Sequence, residues 1–167
     1  MDQIPEIALD WHRAGKGAAL ATVVRTWGSA PRRVGSQLVI SGAGEIEGSV
    51  SGGCVEGAVI VEAIDALEDG QPKLLTFGVS DDEAFAVGLA CGGEIAILVE
   101  PVGTALPEDM LADLVAARAA RKPMAYHVNT QTWARHLSED TSDARFRMDR
   151  SGFDEETFIA IHNPPLR

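Results

Sequence analysis

The chain has 167 residues, a length typical of one domain that buries its own core. Its formal net charge of −11 argues against a general nucleic-acid or membrane-surface role, because both need a basic face. No apolar run approaches the roughly 20 residues that cross a bilayer, and the acidic first ten residues do not resemble a secretory signal. With two cysteines, Cys54 and Cys91, a disulfide scaffold is excluded and a cytoplasmic protein with free thiols is expected.

The first part of the chain predicts one helix followed by three strands. These elements cover residues 4–14, 17–27, 36–41 and 45–51. Gly15 is the expected stop of the helix. The first strand contains a continuous apolar run, which is typical of a sheet covered on both faces. The last two strands are expected to form a hairpin around a Gly-Ala-Gly turn.

The next helix has the clearest periodicity of the sequence. Apolar residues recur at spacings of three and four, at positions 60, 63, 64 and 67. Strands at 73–79 and 95–99 and a helix at 107–122 follow. Short alternating runs in the tail predict a small antiparallel set, at residues 124–128, 133–137, 146–148 and 158–161. The order predicts an α+β fold, a mixed β-sheet flanked by helices, without a Rossmann domain.

Three glycine-rich stretches stand next to predicted strands, at Gly28-Ser29, Ser51-Gly52-Gly53-Cys54 and Cys91-Gly92-Gly93. Glycine lets a bound group approach the backbone closely, and amides at a helix start favour an anion. If the strands are neighbours, the stretches converge at one rim of the sheet, where ligands usually bind. Backbone donors with Arg32 and Arg33 favour a phosphate. Thiolates favour a soft metal, or sulfur carried as a persulfide.

Each of these candidate binding groups can also be interpreted as a purely structural feature. The stretch from Gly48 to Gly57 fits a tight strand-to-helix turn with a buried, inert cysteine. Arg32 and Arg33 fit solvated loop charges, and Cys91 fits a small buried residue. The four histidines lack a paired spacing for zinc and are interpreted as surface or strand residues. No dinucleotide fingerprint, P-loop or nucleophile elbow is present, so both interpretations stay open.

Taken together, three motifs closely resemble the XdhC/CoxI family of accessory proteins, which mature molybdenum hydroxylases such as xanthine dehydrogenase. The motifs are the runs 26–32 (TWGSAPR), 48–56 (GSVSGGCVE) and 88–93 (GLACGG). The resemblance covers residues 5–102 well and the tail more loosely. It implies a family-type core at residues 1–103, with a helix and short strands at 104–167 completing the same domain and ending at a linker-like stretch.

The resemblance implies a chaperone rather than a turnover enzyme, with the molybdenum cofactor (molybdopterin) as its bound cargo. It protects the cofactor while a metal-bound oxygen is exchanged for sulfur. The implied partners are an apo molybdenum hydroxylase of the xanthine dehydrogenase type and a cysteine desulfurase. The implied cofactor-binding residues are Gly28, Ser29, Arg32, Arg33, Ser51, Gly52, Gly53, Cys54, Glu56, Cys91, Gly92 and Gly93. Cys54 and Cys91 are the implied contacts to molybdenum.

Two other functions fit the same residues. One is a thiol-based sulfurtransferase in which Cys54 is the catalytic persulfide carrier. The other is a scaffold that bridges the desulfurase and the apo-hydroxylase. Exposed sheet edges and an acidic surface also favour a homodimer. Many family members continue into a Rossmann-like domain, so the chain is expected to be either a short CoxI-like form or a truncated product.

Overall fold

A computed structural model describes residues 3–27, 33–50, 56–77 and 94–165. These residues form four helices, which are α1 (Ile4–Arg13), α2 (Glu56–Asp69), α3 (Glu108–Ala119) and α4 (Ala144–Met148). They also form nine strands, which are β1 (Ala19–Trp27), β2 (Gln37–Ile40), β3 (Ile46–Gly48), β4 (Lys73–Phe77), β5 (Glu94–Pro101), β6 (Met124–Asn129), β7 (Arg135–Ser138), β8 (Gly152–Asp154) and β9 (Thr157–His162). The predicted α+β class is confirmed.

The main sheet has the strand order β3-β2-β1-β5-β4. The sequence predicted a mixed sheet, whereas every pair of neighbouring strands described here is antiparallel. The hairpin from β2 to β3 accounts for part of this pattern, because antiparallel strands need only a short turn between them. The pairing of β1 with β5 shifts register between Val23 and Arg25, so β1 carries a bulge near its end.

Both faces of the main sheet are covered, as the apolar run of β1 predicts. On one face, Ala19, Ala21 and Val23 pack in a core with α2. On the other face, Leu20 and Val24 pack in a core with α1, α3 and the second sheet. Alternate residues of β1 therefore serve two cores, which is why the strand shows no polar-apolar alternation.

The second sheet has the order β7-β6-β9-β8 and is antiparallel, which confirms the small antiparallel set in the tail. The prediction was wrong for residues 146–148, which belong to α4 rather than to a strand. Asp143 caps that helix by accepting a hydrogen bond from the Arg145 amide, and Asp149 ends it at φ 51°. Phe146 is buried while Met148 is 56% exposed, so the two do not share a sheet face.

The three longer helices, α1, α2 and α3, begin and end close to their predicted positions. Helix α1 stops before Gly15, whose φ of +78° suits glycine. Pro107 is the N-cap of α3. In α2 the buried residues are Val59, Ala63 and Ala66. The buried face of this helix is therefore rotated slightly from the one predicted at positions 60, 63, 64 and 67. Among the described residues, no helix has the length and apolar character needed to cross a membrane.

Candidate functional site

The three segments that carry most of the predicted site residues attach to the same end of the main sheet. Strand β1 finishes at Trp27, which pairs with Glu94 at the start of β5. Strand β4 finishes at Phe77, which pairs with Ile95. Segment 28–32 therefore leaves from β1, and segment 78–93 connects β4 to β5, the strand that pairs with β1. We call this the loop end of the sheet, where β1, β3 and β4 finish and where β2 and β5 begin.

The hairpin brings the third segment to the loop end. The first residue of β2, Gln37, pairs with Thr22, and the last residue of β3, Gly48, pairs with Leu38. Segment 51–55 therefore follows β3 at the same end of the sheet, with β2 between β3 and β1. This arrangement supports the hypothesis that the glycine-rich stretches converge. Most of the predicted residues themselves lie outside the described residues, namely Gly28, Ser29, Arg32, Ser51, Gly52, Gly53, Cys54, Cys91, Gly92 and Gly93.

Glu56 and Gly48 organise the chain on either side of segment 51–55. The Glu56 carboxylate, in the first turn of α2, accepts hydrogen bonds from the Ser49 hydroxyl at 2.8 Å and from the Val50 amide at 3.2 Å. It thereby joins the end of β3 to the start of α2. Gly48 has a φ of +95°, and a Cβ there would lie 2.4 Å from the carbonyl oxygen of Gln37. The sheet itself therefore requires glycine at this position.

Arg33, the remaining described site residue, lies on a cleft between the two sheets. The cleft has a volume of about 340 Å³, and its polar lining includes Arg33, Arg118, Asp149, Ser151 and His162. It shares four residues, Arg118, Asp149, His162 and Asn163, with a groove of about 720 Å³. We call the two together the basic cleft. Arg33 was predicted from the sequence and the other residues were missed, since they belong to α3, β9 and the turns around β8.

A chain of polar contacts fixes one ring in the basic cleft. Arg118 donates to both carboxylate oxygens of Glu6, at 2.8 and 3.2 Å, and its Nη1 lies 2.9 Å from Nδ1 of His162. A guanidinium offers hydrogens only, so Nδ1 of His162 is the acceptor and Nε2 carries the ring hydrogen. Burial and the Arg118 charge lower the pKa of His162 to about 4. His162 is therefore a neutral donor at neutral pH.

A second polar cluster joins the sheets deeper in the protein. Glu100, on β5, accepts hydrogen bonds from the Tyr126 hydroxyl and, at 2.8 Å, from Nε of Arg135. Burial raises the pKa of Glu100, and Arg135 opposes that rise. Burial and the Glu100 charge raise the pKa of Tyr126 well above 10. Nη2 of Arg135 is buried and has no hydrogen-bond partner within the described part of the chain. The cluster is closed to solvent and serves the fold.

Comparison with known proteins decides the family. The model of the XdhC and CoxI family matches residues 11–78. The chain belongs to the XdhC and CoxI family. That match includes Arg33 and Glu56 and two of the three glycine-rich stretches of the predicted site. The XdhC/CoxI match thus covers β1 to β4 of the loop end but not β5, and the residues contributed to the basic cleft by α3, α4 and β9 lie beyond it.

Three curated relatives of this XdhC/CoxI chain match different shares of it. The molybdenum cofactor insertion chaperone PaoD of Escherichia coli is 33% identical over 77% of this chain and 39% of its own length. The uncharacterized protein YqeB of E. coli is 35% identical over 51% of this chain and 16% of its own length. A probable xanthine dehydrogenase subunit of Bacillus subtilis is 35% identical over 51% of this chain and 26% of its own length. The matched region spans less than half of each curated relative.

The fold of this XdhC/CoxI chain also occurs in a solved structure. The crystal structure of a xanthine dehydrogenase from Bacillus halodurans aligns with 98% of this chain and 53% of that chain. The TM-score is 0.75 and the sequence identity is 21%, so the comparison shows the shared fold.

The histidines show a pairing that was not predicted from the sequence. His127 and His136 face each other on β6 and β7, with their ring centroids 4.3 Å apart. Burial, and then the His136 charge, lower the pKa of His127. The register of the two strands creates this pair, and the sequence spacing gives no sign of it. Within the described ranges, no group of three or more His, Cys, Asp or Glu side chains is arranged to hold a metal ion.

Proposed function

We propose that this chain binds the molybdenum cofactor and assists its insertion into a molybdenum hydroxylase of the xanthine dehydrogenase type. The observation that carries the proposal is the common attachment of segments 28–32, 51–55 and 78–93 to the loop end. The relative named as a molybdenum cofactor insertion chaperone supports the choice of cargo. The relative named as a probable xanthine dehydrogenase subunit supports the choice of client.

The proposed site combines soft and hard ligands. The thiols of Cys54 and Cys91 bind at the molybdenum, since thiolates suit soft metals. The phosphate of the cofactor binds Arg32, Arg33 and the backbone amides of the glycine-rich stretches, because charge-assisted hydrogen bonds to phosphate are strong. The remaining proposed contacts are Gly28, Ser29, Ser51, Gly52, Gly53, Gly92 and Gly93. Glu56 contributes by holding the start of α2 against the end of β3.

The proposed partners follow from this cargo. The apo-hydroxylase receives the cofactor, and a cysteine desulfurase supplies sulfur while the chaperone holds the cofactor in the cytoplasm. The outer strands β3 and β4 of the main sheet offer edges for a homodimer. Residues 1–103 are the proposed family core, and residues 104–167 complete the same domain.

Client activation tests the proposal. An apo-hydroxylase is incubated with released cofactor and either the wild-type chain or the Cys54→Ser variant, and its recovered activity is measured. We expect the wild type to raise recovery above that of cofactor alone and the variant to lose most of that gain. Equal recovery with and without the wild-type chain would contradict the proposal. Equal recovery with both chains would remove Cys54 from the site.

A sulfurtransferase is the second candidate, favoured by the place of Cys54 two residues before the first residue of α2. The positive end of a helix dipole stabilises a thiolate, and a thiolate is the form that accepts sulfur. Incubation with a desulfurase and labelled cysteine separates the two functions. Label retained on Cys54 favours the sulfurtransferase, whereas bound pterin without labelled thiol favours the chaperone. Capture of desulfurase and hydroxylase without pterin would indicate a scaffold.

A further inference from the structure

The basic cleft concentrates positive charge in an otherwise acidic protein. Arg33 lines its smaller part, and Lys122 and Arg147 line its larger part. The other cations include several held in ion pairs, which are Arg13, Lys16, Lys73, Arg118, Arg135 and Arg145. Arg33, Lys122 and Arg147 form no ion pair within the described residues. With a net charge of −11, unpaired cations along one cleft indicate an anionic ligand.

The rest of the polar lining consists mainly of uncharged side chains and contains few carboxylates. His162 lines both parts, and its ring hydrogen is on Nε2 because Arg118 occupies its Nδ1. Asp149 is the acidic residue in the described lining, and its Oδ1 accepts a hydrogen bond from the Asn163 amide at 3.0 Å. The cations therefore outnumber the carboxylates on this surface, and a multiply charged anion is better matched than a single carboxylate.

The larger part of the cleft also has an apolar wall. Pro123, Phe146 and Pro164 line it beside Lys122 and Arg147. Its volume of about 720 Å³ lies within the range of about 300 to 1,000 Å³ that small-molecule sites occupy. Apolar walls with a few charged groups are the usual lining of such sites. The ligand is therefore expected to carry both a charged group and a part that packs against an apolar wall.

We propose that the basic cleft binds a phosphate monoester attached to a planar heterocycle. The phosphate interacts with Lys122 and Arg147 in the larger part of the cleft, which adjoins the part that Arg33 lines, and the heterocycle packs against the wall formed by Phe146 and the prolines. This inference rests on the proposed function in one respect, which is that the natural ligand is the pterin cofactor. Lys122 and Arg147 are then added to Arg32 and Arg33 as cations that attract its phosphate.

Two stable probes test the cleft without intact cofactor. The oxidised, fluorescent pterin phosphate made from released cofactor is titrated with protein, in parallel with the same pterin after removal of its phosphate. We expect the phosphorylated probe to bind about tenfold more tightly, because a charge-assisted hydrogen bond contributes on that order. Raising the salt concentration should weaken its binding. Equal affinity for both probes would overturn the inference.

Matched variants place the binding in the cleft. Lys122→Ala combined with Arg147→Ala removes two exposed cations from the lining, and Arg33→Ala removes a third. The control pair, Lys16→Ala combined with Arg150→Ala, also removes two positive charges, but from residues that do not line the cleft. We expect at least a tenfold loss of phosphorylated-probe affinity for the cleft pair and less than a twofold loss for the control pair. Equal losses in the two pairs would overturn the inference, and circular dichroism confirms that both variants fold.

Intact cofactor separates failure of this inference from failure of the proposed function. If the wild type and the cleft pair retain molybdenum and pterin equally, the cofactor binds elsewhere and only the inference fails. If the wild type retains no intact cofactor but the cleft pair still loses probe affinity, the inference stands for a phosphorylated heterocycle and the proposed function fails.

Discussion

Two polar clusters, each centred on an arginine, connect distant elements of this protein. Each combines a carboxylate with an aromatic side chain, but one is closed to solvent and the other lies beside a cleft. Arg135 meets a carboxylate, Glu100, and a ring hydroxyl, Tyr126, in a site closed to solvent. Arg118 meets a carboxylate, Glu6, and the ring of His162 beside an open cleft. The closed cluster pairs Arg135 with Glu100 and Tyr126 away from solvent and leaves only Nη2 of Arg135 without a partner among the described residues. The open cluster lies on a cleft that Arg33, Lys122 and Arg147 also line. The open cluster is therefore the one that a ligand could reach.

Removing the carboxylate of the closed cluster should have the largest effect on stability. Glu100→Ala leaves the Arg135 guanidinium buried without its anion, and breaking such a pair costs about 3–5 kcal/mol. Urea unfolding measures the loss. The matched control is Glu6→Ala, which breaks the more exposed pair with Arg118 and should cost about 1 kcal/mol. Equal losses would mean that the two clusters do not differ as described.

The ring of the open cluster should make stability depend on pH. His162 has a pKa of about 4 in the folded protein and about 6.5 when unfolded. Between those values the unfolded chain binds a proton that the folded chain does not, so the free energy of unfolding falls as pH decreases. The contribution is complete above pH 6.5, is lost toward pH 4, and amounts to at most about 3 kcal/mol.

Replacement of the ring isolates this effect. His162→Gln keeps an acceptor for Arg118 and cannot be protonated in this range. The free energy of unfolding of wild type and variant is measured from pH 7.5 to pH 5. We expect the difference between them to shrink as pH falls, with the wild type losing more stability. Parallel curves would mean that His162 is not a buried neutral ring.

The hydroxyl of the closed cluster should contribute less than its charges. Tyr126→Phe removes the donor to Glu100 but keeps the Arg135–Glu100 contact and the ring packing. It also removes the hydroxyl oxygen that accepts a hydrogen bond from Nε of Arg135 at 2.8 Å. The loss of the hydroxyl's contacts with these charged groups should cost about 1–3 kcal/mol in thermal or urea unfolding. Phosphorylated-probe affinity should stay within twofold of wild type, because Tyr126 does not line the basic cleft. A large loss of affinity would link the two clusters.

The cations of the open cleft should have the smallest effect on stability. Arg147 and Lys122 are exposed and have no ion pair in the described part of the chain, so their replacement should change the free energy of unfolding by less than about 0.5 kcal/mol. We expect their replacement to weaken binding of the phosphorylated probe instead. A stability loss above about 1 kcal/mol would assign them to the fold.

Local patterns in the sequence predicted most of the fold. The apolar run of β1, the helical spacing in α2 and the Pro107 start of α3 each depend on neighbouring residues, and each element formed as expected. The exception at residues 146–148 has a local cause, since a capping Asp143 and a left-handed Asp149 favour one helical turn over a strand. Two alternating apolar residues are too short a pattern to decide between them.

The polar sites could be predicted only in part. Motifs indicated Arg33 and Glu56, because both lie beside glycine-rich stretches. The rest of the basic cleft depends on contacts between residues far apart in sequence, such as Arg118 with Glu6, which are 112 positions apart. The stacked pair of His127 and His136 depends on strand register. Spacing along the chain carries no information about either contact.

Retention of intact cofactor is the most direct test of the proposed function. The purified chain is mixed with freshly released molybdenum cofactor and separated by size, and the protein fraction is assayed for molybdenum and for pterin. We expect both in equal amounts with the wild-type chain, and a clear loss of both with Cys54→Ser. A wild-type fraction that contains neither molybdenum nor pterin would contradict the proposed function.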